Sequence, residues 1–399
     1  MNLFSYIEWR GDLPMSTVPL CPMDALILCR LAYCPMEGAV PAEFNSRVKL
    51  RDAAKAILAS PQGRRFLLEN DKQLLEELSE HERFAQLELC GYCRSTDAAA
   101  EKQFSAVTIF LGDGRLFIAY RGTDATLVGW KEDFNMSFCR VPSQLEAVHY
   151  LKAAALPGHR LICAGHSKGG NLAVYAAAFS GKRLKNRIDG VYDFDGPGFI
   201  KEITADAQYL EIAPRIHKFV PQSSVIGRLL AAGEKSVAVL SDERGLRQHD
   251  LYSWRVVPPG EMERAESLNL EFVGNMLNDW ISGMGIEERK SFFDTCYMVL
   301  SSSDAVTLSE LSGRKSVMKI LRTFKQTDPE TRRLILRGFA LLTRSAREHL
   351  PAALRRTPEQ NGQTGQAEES NARAEACIYG SICAAEEKDG AADSTADKK

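Results

Sequence analysis

One stretch near the middle of the chain constrains its fold more than any other. Leu161-Ile-Cys-Ala-Gly165-His166-Ser167-Lys168-Gly169-Gly170-Asn171-Leu-Ala-Val-Tyr-Ala runs from an apolar strand through Gly-x-Ser-x-Gly directly into an amphipathic helix. This is the context of a nucleophile elbow. The turn is so tight that side chains at 165 and 169 would collide with neighbouring backbone, and it lifts the Ser167 hydroxyl clear of the sheet. The helix N-terminus behind Ser167 offers free N–H groups and positive potential to an oxyanion. A phosphate-binding turn is the weaker reading, because neither GxGxxG nor GxxxxGK[ST] occurs in the chain.

Around this stretch, strands alternate with helix-length segments. SAVTIFL and RLFIAYRG flank Gly112-Asp113-Gly114 and predict a hairpin. Then follow Ser143–Leu156 as helix, Arg160–Ala164 as strand, Gly170–Phe179 as helix, Ile188–Phe194 and Ile216–Val220 as strands, Val225–Ala232 as a short helix, and strands at Val237–Leu240 and Ser253–Val257. Such alternation implies an α/β fold with a mostly parallel sheet covered by helices on both faces. The expected organisation is a helical lead over 1–100, an α/β-hydrolase core over 101–260, a helical region over 261–350 and a disordered tail over 351–399. Helical patterns at Met262–Ile281, Ile286–Leu300, Thr307–Phe324 and Thr331–His349 make up the third part.

Composition narrows the class. With 45% apolar and 26% charged residues over 399 positions, most of the chain should fold, and a net charge of -2 gives no sign of a nucleic-acid partner. No apolar run approaches the length of a membrane span, and MNLFSYIEWRGDLP lacks a signal-peptide pattern, so a cytoplasmic address is expected. The ten cysteines then read mostly as buried thiols, and the lone Cys90-Gly-Tyr-Cys93 lacks the second pair of a zinc site.

A serine nucleophile needs a base. In this fold the chain order is serine, acid, histidine, which excludes His81, His149 and His159, and His166 is too close to the serine along the elbow to take its proton. Of the remaining three, His217 lies within a short strand and His349 ends a basic helix. His249, in a polar loop between two late strands, is the expected base. The acid stays open among Asp195, Asp242 and Asp193, with Asp206 also in the interval. Asp195 ranks first because it ends a strand ahead of Gly196-Pro197-Gly198, where the carboxyl edge of a parallel sheet places a site. Thr123, leaving a strand through Gly122, and the backbone N–H of Lys168 are the expected oxyanion donors.

These pieces resemble the α/β hydrolases of the class 3 lipase type. Arg121-Gly122-Thr123 with Gly129-Trp130-Lys-Glu-Asp133 is similar to that family's oxyanion strand and Trp-x-x-Asp helix start, and GHSKGGNLA to its GHSLGGALA elbow. More closely, MNLFSYIEWRGDLP, DFDGPGF, PQSSVIGRLL and QHDLYSW resemble the bacterial, lipase-like Mbeg-like family. There is one departure. Where class 3 lipases carry the acid in an Asp-x-Val-Pro segment, this chain reads Gln222-Ser223-Ser224-Val225-Ile226, so serine fills the acid slot.

The expected chemistry is hydrolysis of a small-molecule or lipid ester through Ser167, His249 and Asp195, with no metal or cofactor required. Two rivals remain. One is a non-catalytic scaffold on the same fold. The other is a membrane-surface (lyso)phospholipase, suggested by ten Lys and Arg against Asp328 and Glu330 between 314 and 347, interleaved with apolar residues at helical spacing.

Overall fold

The computed structural model describes residues 1–60, 66–97, 99–124, 127–230, 235–265, 275–276, 278–281, 283–302 and 314–349. The expected tail lies outside them. Among the described residues, four helices of eight residues or more precede the main sheet or interleave with its first strand: α1 (Leu3–Arg10), α2 (Pro22–Leu31), α3 (Leu50–Ala59) and α4 (Glu69–Glu80). In α2, Pro22 occupies the first turn, where its missing N–H costs nothing, and the Asp24 carboxylate accepts the Cys21 N–H at 2.9 Å. Every residue from Met23 to Leu31 is buried, as befits a helix that is apolar nearly all round. Its two charges are paired, Asp24 with Arg83 and Arg30 with Asp71.

Eight strands form one sheet in strict chain order. They are β1 (Val48–Lys49), β2 (Glu88–Asp97), β3 (Lys102–Phe110), β4 (Arg115–Tyr120), β5 (Arg160–His166), β6 (Ile188–Phe194), β7 (Ile216–Pro221) and β8 (Val237–Val239). Pairing is antiparallel from β1 to β4 and parallel from β4 to β8. The α/β architecture is therefore as expected, and Gly112 and Gly114, both at positive φ, make the β3–β4 turn.

The lead differs from expectation in contributing β1 and β2 to the sheet. Strand β2 was hidden because a bulge between Cys90 and Cys93, with Gly91 at φ 64°, breaks the period-two pattern. The late elements differ too. Ser253–Val257 does not join the main sheet; β9 (Val256–Val257) pairs with β10 (Glu261–Met262) in a separate ribbon. The short helix after β7 is a single 3-10 turn at Ile226–Arg228.

Among the described residues, four helices of six residues or more connect the parallel strands: α5 (Leu127–Asn135), α6 (Pro142–Ala154), α7 (Lys168–Phe179) and α8 (Ala207–Ile212). Right-handed crossovers between strands in sequential order put their helices on the same face of a sheet. Alternate residues confirm this. Leu116, Ile118, Leu161 and Cys163 pack with α6, α7 and α8, whereas Phe117, Ala119, Ile162 and Ala164 pack with α1 to α4. The N-terminal helices thus cover the face that the crossovers leave bare.

Beyond the ribbon stand α9 (Ile286–Ser301), α10 (Arg314–Gln326) and α11 (Pro329–His349). Phe293 of α9 stacks on Phe134 of α5 at 4.3 Å, and the Trp280 indole donates to the Gly338 carbonyl of α11 at 2.8 Å. Of the helix expected over Met262–Ile281, Met262 belongs instead to β10 and Arg264 bridges to Val239, while residues 266–274 and 277 lie outside the described residues, as do 307–313 of the helix expected over Thr307–Phe324. No described helix is long and apolar enough to cross a membrane.

Candidate active site

The carboxyl ends of five neighbouring strands converge on one place, as the crevice rule for parallel sheets requires. Thr123 follows β4, Ser167 follows β5, Asp195 follows β6, Ser224 follows β7, and the loop after β8 returns with His249. Thr123, Ser167 and His249 line a cavity of about 330 Å³ together with Arg30, Tyr33, Leu67, Leu68 and His166.

Ser167 sits at φ 59° and ψ -134°, a conformation that costs a non-glycine residue about 1–3 kcal/mol. The surrounding packing enforces it. A Cβ at Gly165 would lie 2.1 Å from the backbone of Gly169, and one at Gly169 would lie 2.1 Å from the Tyr120 carbonyl oxygen, so strand, turn and helix close on each other without side chains between. The Ser167 N–H donates to the Phe194 carbonyl at 2.9 Å. Among the described residues the Ser167 hydroxyl has no hydrogen-bond partner.

His249 Nδ1 lies 2.6 Å from Asp195 Oδ2. Asp195 is 1% exposed and also holds a positive φ of 54°, which an aspartate tolerates better than most residues. Its other oxygen accepts the hydroxyl of Ser224, and that hydroxyl in turn accepts the Gly227 N–H at 2.9 Å. The serine in the acid slot therefore supports the carboxylate supplied by the preceding strand. Of the other acids weighed, Asp242 pairs with Arg255 at 2.6 Å on the surface, and Asp206 caps α8. Asp193 accepts the Gly196 N–H at 2.8 Å and pairs with Lys218 at 3.4 Å. None of the three reaches His249.

His166 has a different task from His249. Its Nε2–H donates to the His249 carbonyl at 2.9 Å, and its Nδ1 accepts the Tyr33 hydroxyl at 3.1 Å, an assignment that follows from the carbonyl's being acceptor only. Burial pushes its pKa well below the ordinary value, with His249 and Arg30 adding to the shift, so it is held neutral. The Gly122 N–H completes the chain by donating to Tyr33 Oη at 3.1 Å. Thus the elbow, the Thr123 loop, the end of α2 and the histidine loop are tied through one imidazole. Tyr33 carried no motif in the sequence that would have marked it.

The Lys168 side chain points away from solvent. Its ammonium is fully buried 3.0 Å from Glu132 Oε2 and 3.2 Å from Gln103 Oε1, with Asp133 Oδ1 at 3.7 Å. Glu132 is saturated in turn by the N–H groups of Gln103 and Ser143, each at 3.0 Å. Its neighbour Asp133 accepts the Thr123 hydroxyl at 2.7 and 2.9 Å, and burial raises its pKa from 3.8 to about 6 despite the nearby Lys168. Helix α5 thereby fixes both expected oxyanion residues from behind.

A family model described as Mbeg1-like matches residues 78–298, just over half of the chain. The chain belongs to the Mbeg1-like family. That match runs from the end of α4 through most of α9 and so contains Thr123, Ser167, Asp195 and His249. No curated protein matches in sequence. Among solved structures, the crystal structure of M37 lipase is similar at 15% identity and a TM-score of 0.34, over 52% of this chain and 69% of that one.

Proposed function

We propose that this Mbeg1-like chain is a serine hydrolase that cleaves carboxylic esters through Ser167, His249 and Asp195. The observation that carries the reading is the 2.6 Å contact of His249 with a buried carboxylate in a loop that shares a cavity with a strained Ser167. His249 Nε2 takes the Ser167 proton as the hydroxyl oxygen attacks the ester carbonyl, and Asp195 holds the imidazole and stabilises its cation. The tetrahedral oxyanion forms against the N–H of Lys168, in the first turn of α7 where backbone donors lack intrahelical partners, and the N–H of Thr123. The Thr123 hydroxyl proton is committed to Asp133. The alcohol leaves with the proton from His249, and water repeats the attack on the acyl-enzyme.

Ser167 and His249 line one cavity without a hydrogen bond between them here, and catalytic contacts often tighten only when substrate binds. A scaffold without catalysis is the reading this leaves to exclude. Labelling with a fluorophosphonate, read by peptide mass spectrometry, separates the two. A stoichiometric adduct on Ser167 is expected, absent in Ser167→Ala and His249→Ala and formed about tenfold more slowly in Ser224→Ala, which removes a hydrogen bond to a charged group. A folded protein with an unreactive Ser167 would leave the scaffold reading standing.

A further inference from the structure

The C-terminal helices carry a surface that the site does not use. On α11, Leu336 is 42% and Phe339 51% exposed, although Gly338 between them is buried against the ring of Phe292. Arg333 and Arg347, both exposed, stand near the two ends of that helix and have no ion-pair partner among the described residues. On α10, Met318 is 62% exposed, and Arg322 and Lys325, four and seven positions on, share its face. Half-exposed apolar side chains set among unpaired cations face outward on both helices.

We propose that the exposed face of α11, with cations of α10 adding to its attraction, docks the protein on an anionic lipid bilayer. Charge complementarity selects the occupant: from 314 to 347 there are ten Lys and Arg against two acids, in a chain whose net charge is -2, and the surplus persists with Arg337 paired to Glu288 and Arg344 to Glu348. Leu336 and Phe339 enter the boundary between head groups and acyl chains, and the arginines keep their guanidinium groups at phosphate level while their stems lie along the apolar zone. An acidic protein would satisfy the cations but leaves the exposed Leu336 and Phe339 tips in water. Residues 303–313 lie outside the described surface, and the face is defined without them.

Cosedimentation of the full chain with extruded vesicles tests this. Phosphatidylcholine containing one quarter phosphatidylglycerol should retain the protein in 0.1 M salt and release it in 0.5 M, and pure phosphatidylcholine should bind it at least about tenfold more weakly. Arg333→Gln with Arg347→Gln should lower partition by about 25-fold, about fivefold for each charge. Phe339→Ser should weaken it on the anionic vesicles without changing the salt dependence. A wild-type chain that stays in the supernatant overturns the proposal. So does an arginine variant that binds as wild type, an unaffected Phe339→Ser, or a change of oligomeric state in the variants without vesicle binding. If a variant fails to keep the wild-type urea midpoint, the comparison of lipids and salts on the wild type still decides.

Discussion

At the scale of single residues, the site is built from side chains held by second partners. Ser224 and Gly227 brace Asp195, Tyr33 and the His249 carbonyl brace His166, and Asp133 takes the hydroxyl of Thr123. Asp133 leaves a measurable trace of this arrangement. Its folded pKa of about 6 exceeds the 3.8 of the free side chain, so the folded chain holds a proton that the unfolded chain gives up. The group's contribution is complete below about pH 4 and is lost as pH rises through about 6, up to about 3 kcal/mol. Urea midpoints of the wild type and Asp133→Asn, followed from pH 4 to 7, should diverge in favour of the variant as pH increases. Parallel curves would mean that Asp133 titrates normally.

Between elements, the decisive contact is the one from α5 to α7. Lys168 and Glu132 are fully buried and satisfied, so the pair fixes the helix behind Ser167 against the helix behind Thr123. Removing one partner strands a charge in the interior. Lys168→Met should cost about 3–5 kcal/mol in urea denaturation, and adding Glu132→Gln should recover a substantial part of it. Equal losses in the single and double variants would show that the lysine acts through its volume alone. The elbow's helix and strand were legible in the sequence, and His249 and Asp195, which the fold brings within 2.6 Å of each other, could be named from it as candidates. The partner of Lys168 was not, because Glu132 and Asp133 read equally well as exposed positions in a short helix whose packing depends on residues far away in the chain.

Across the whole molecule, the N-terminal helices are part of the core. They cover one face of the sheet while α6, α7 and α8 cover the other, and the same cluster extends to Trp254 and Met262. A lead that merely rested on a finished domain would unfold by itself; this one cannot leave without exposing Phe117, Ile162 and Phe194 to water. Leu26→Ala, in the most buried helix of the lead, should therefore cost about 2–5 kcal/mol and shift one common transition. Far-UV circular dichroism and tryptophan fluorescence should trace coincident curves. Two separated transitions would make the lead an independent unit.

Local signals in the sequence determined the α/β class, the hairpin, the strand–elbow–helix at Ser167 and the shortlist of bases and acids. Each depends on periodicity, turn chemistry or chain order, which act over a few residues. Only the tertiary structure set Asp195, rather than Asp242 or Asp193, against His249, gave Ser224 its place behind that carboxylate, joined Tyr33 to His166 and made the helical lead part of the core. Those outcomes depend on which residues meet across the carboxyl edge and the two faces of a sheet. Contacts between positions 133 residues apart, as in Tyr33 and His166, leave no periodic trace in the sequence.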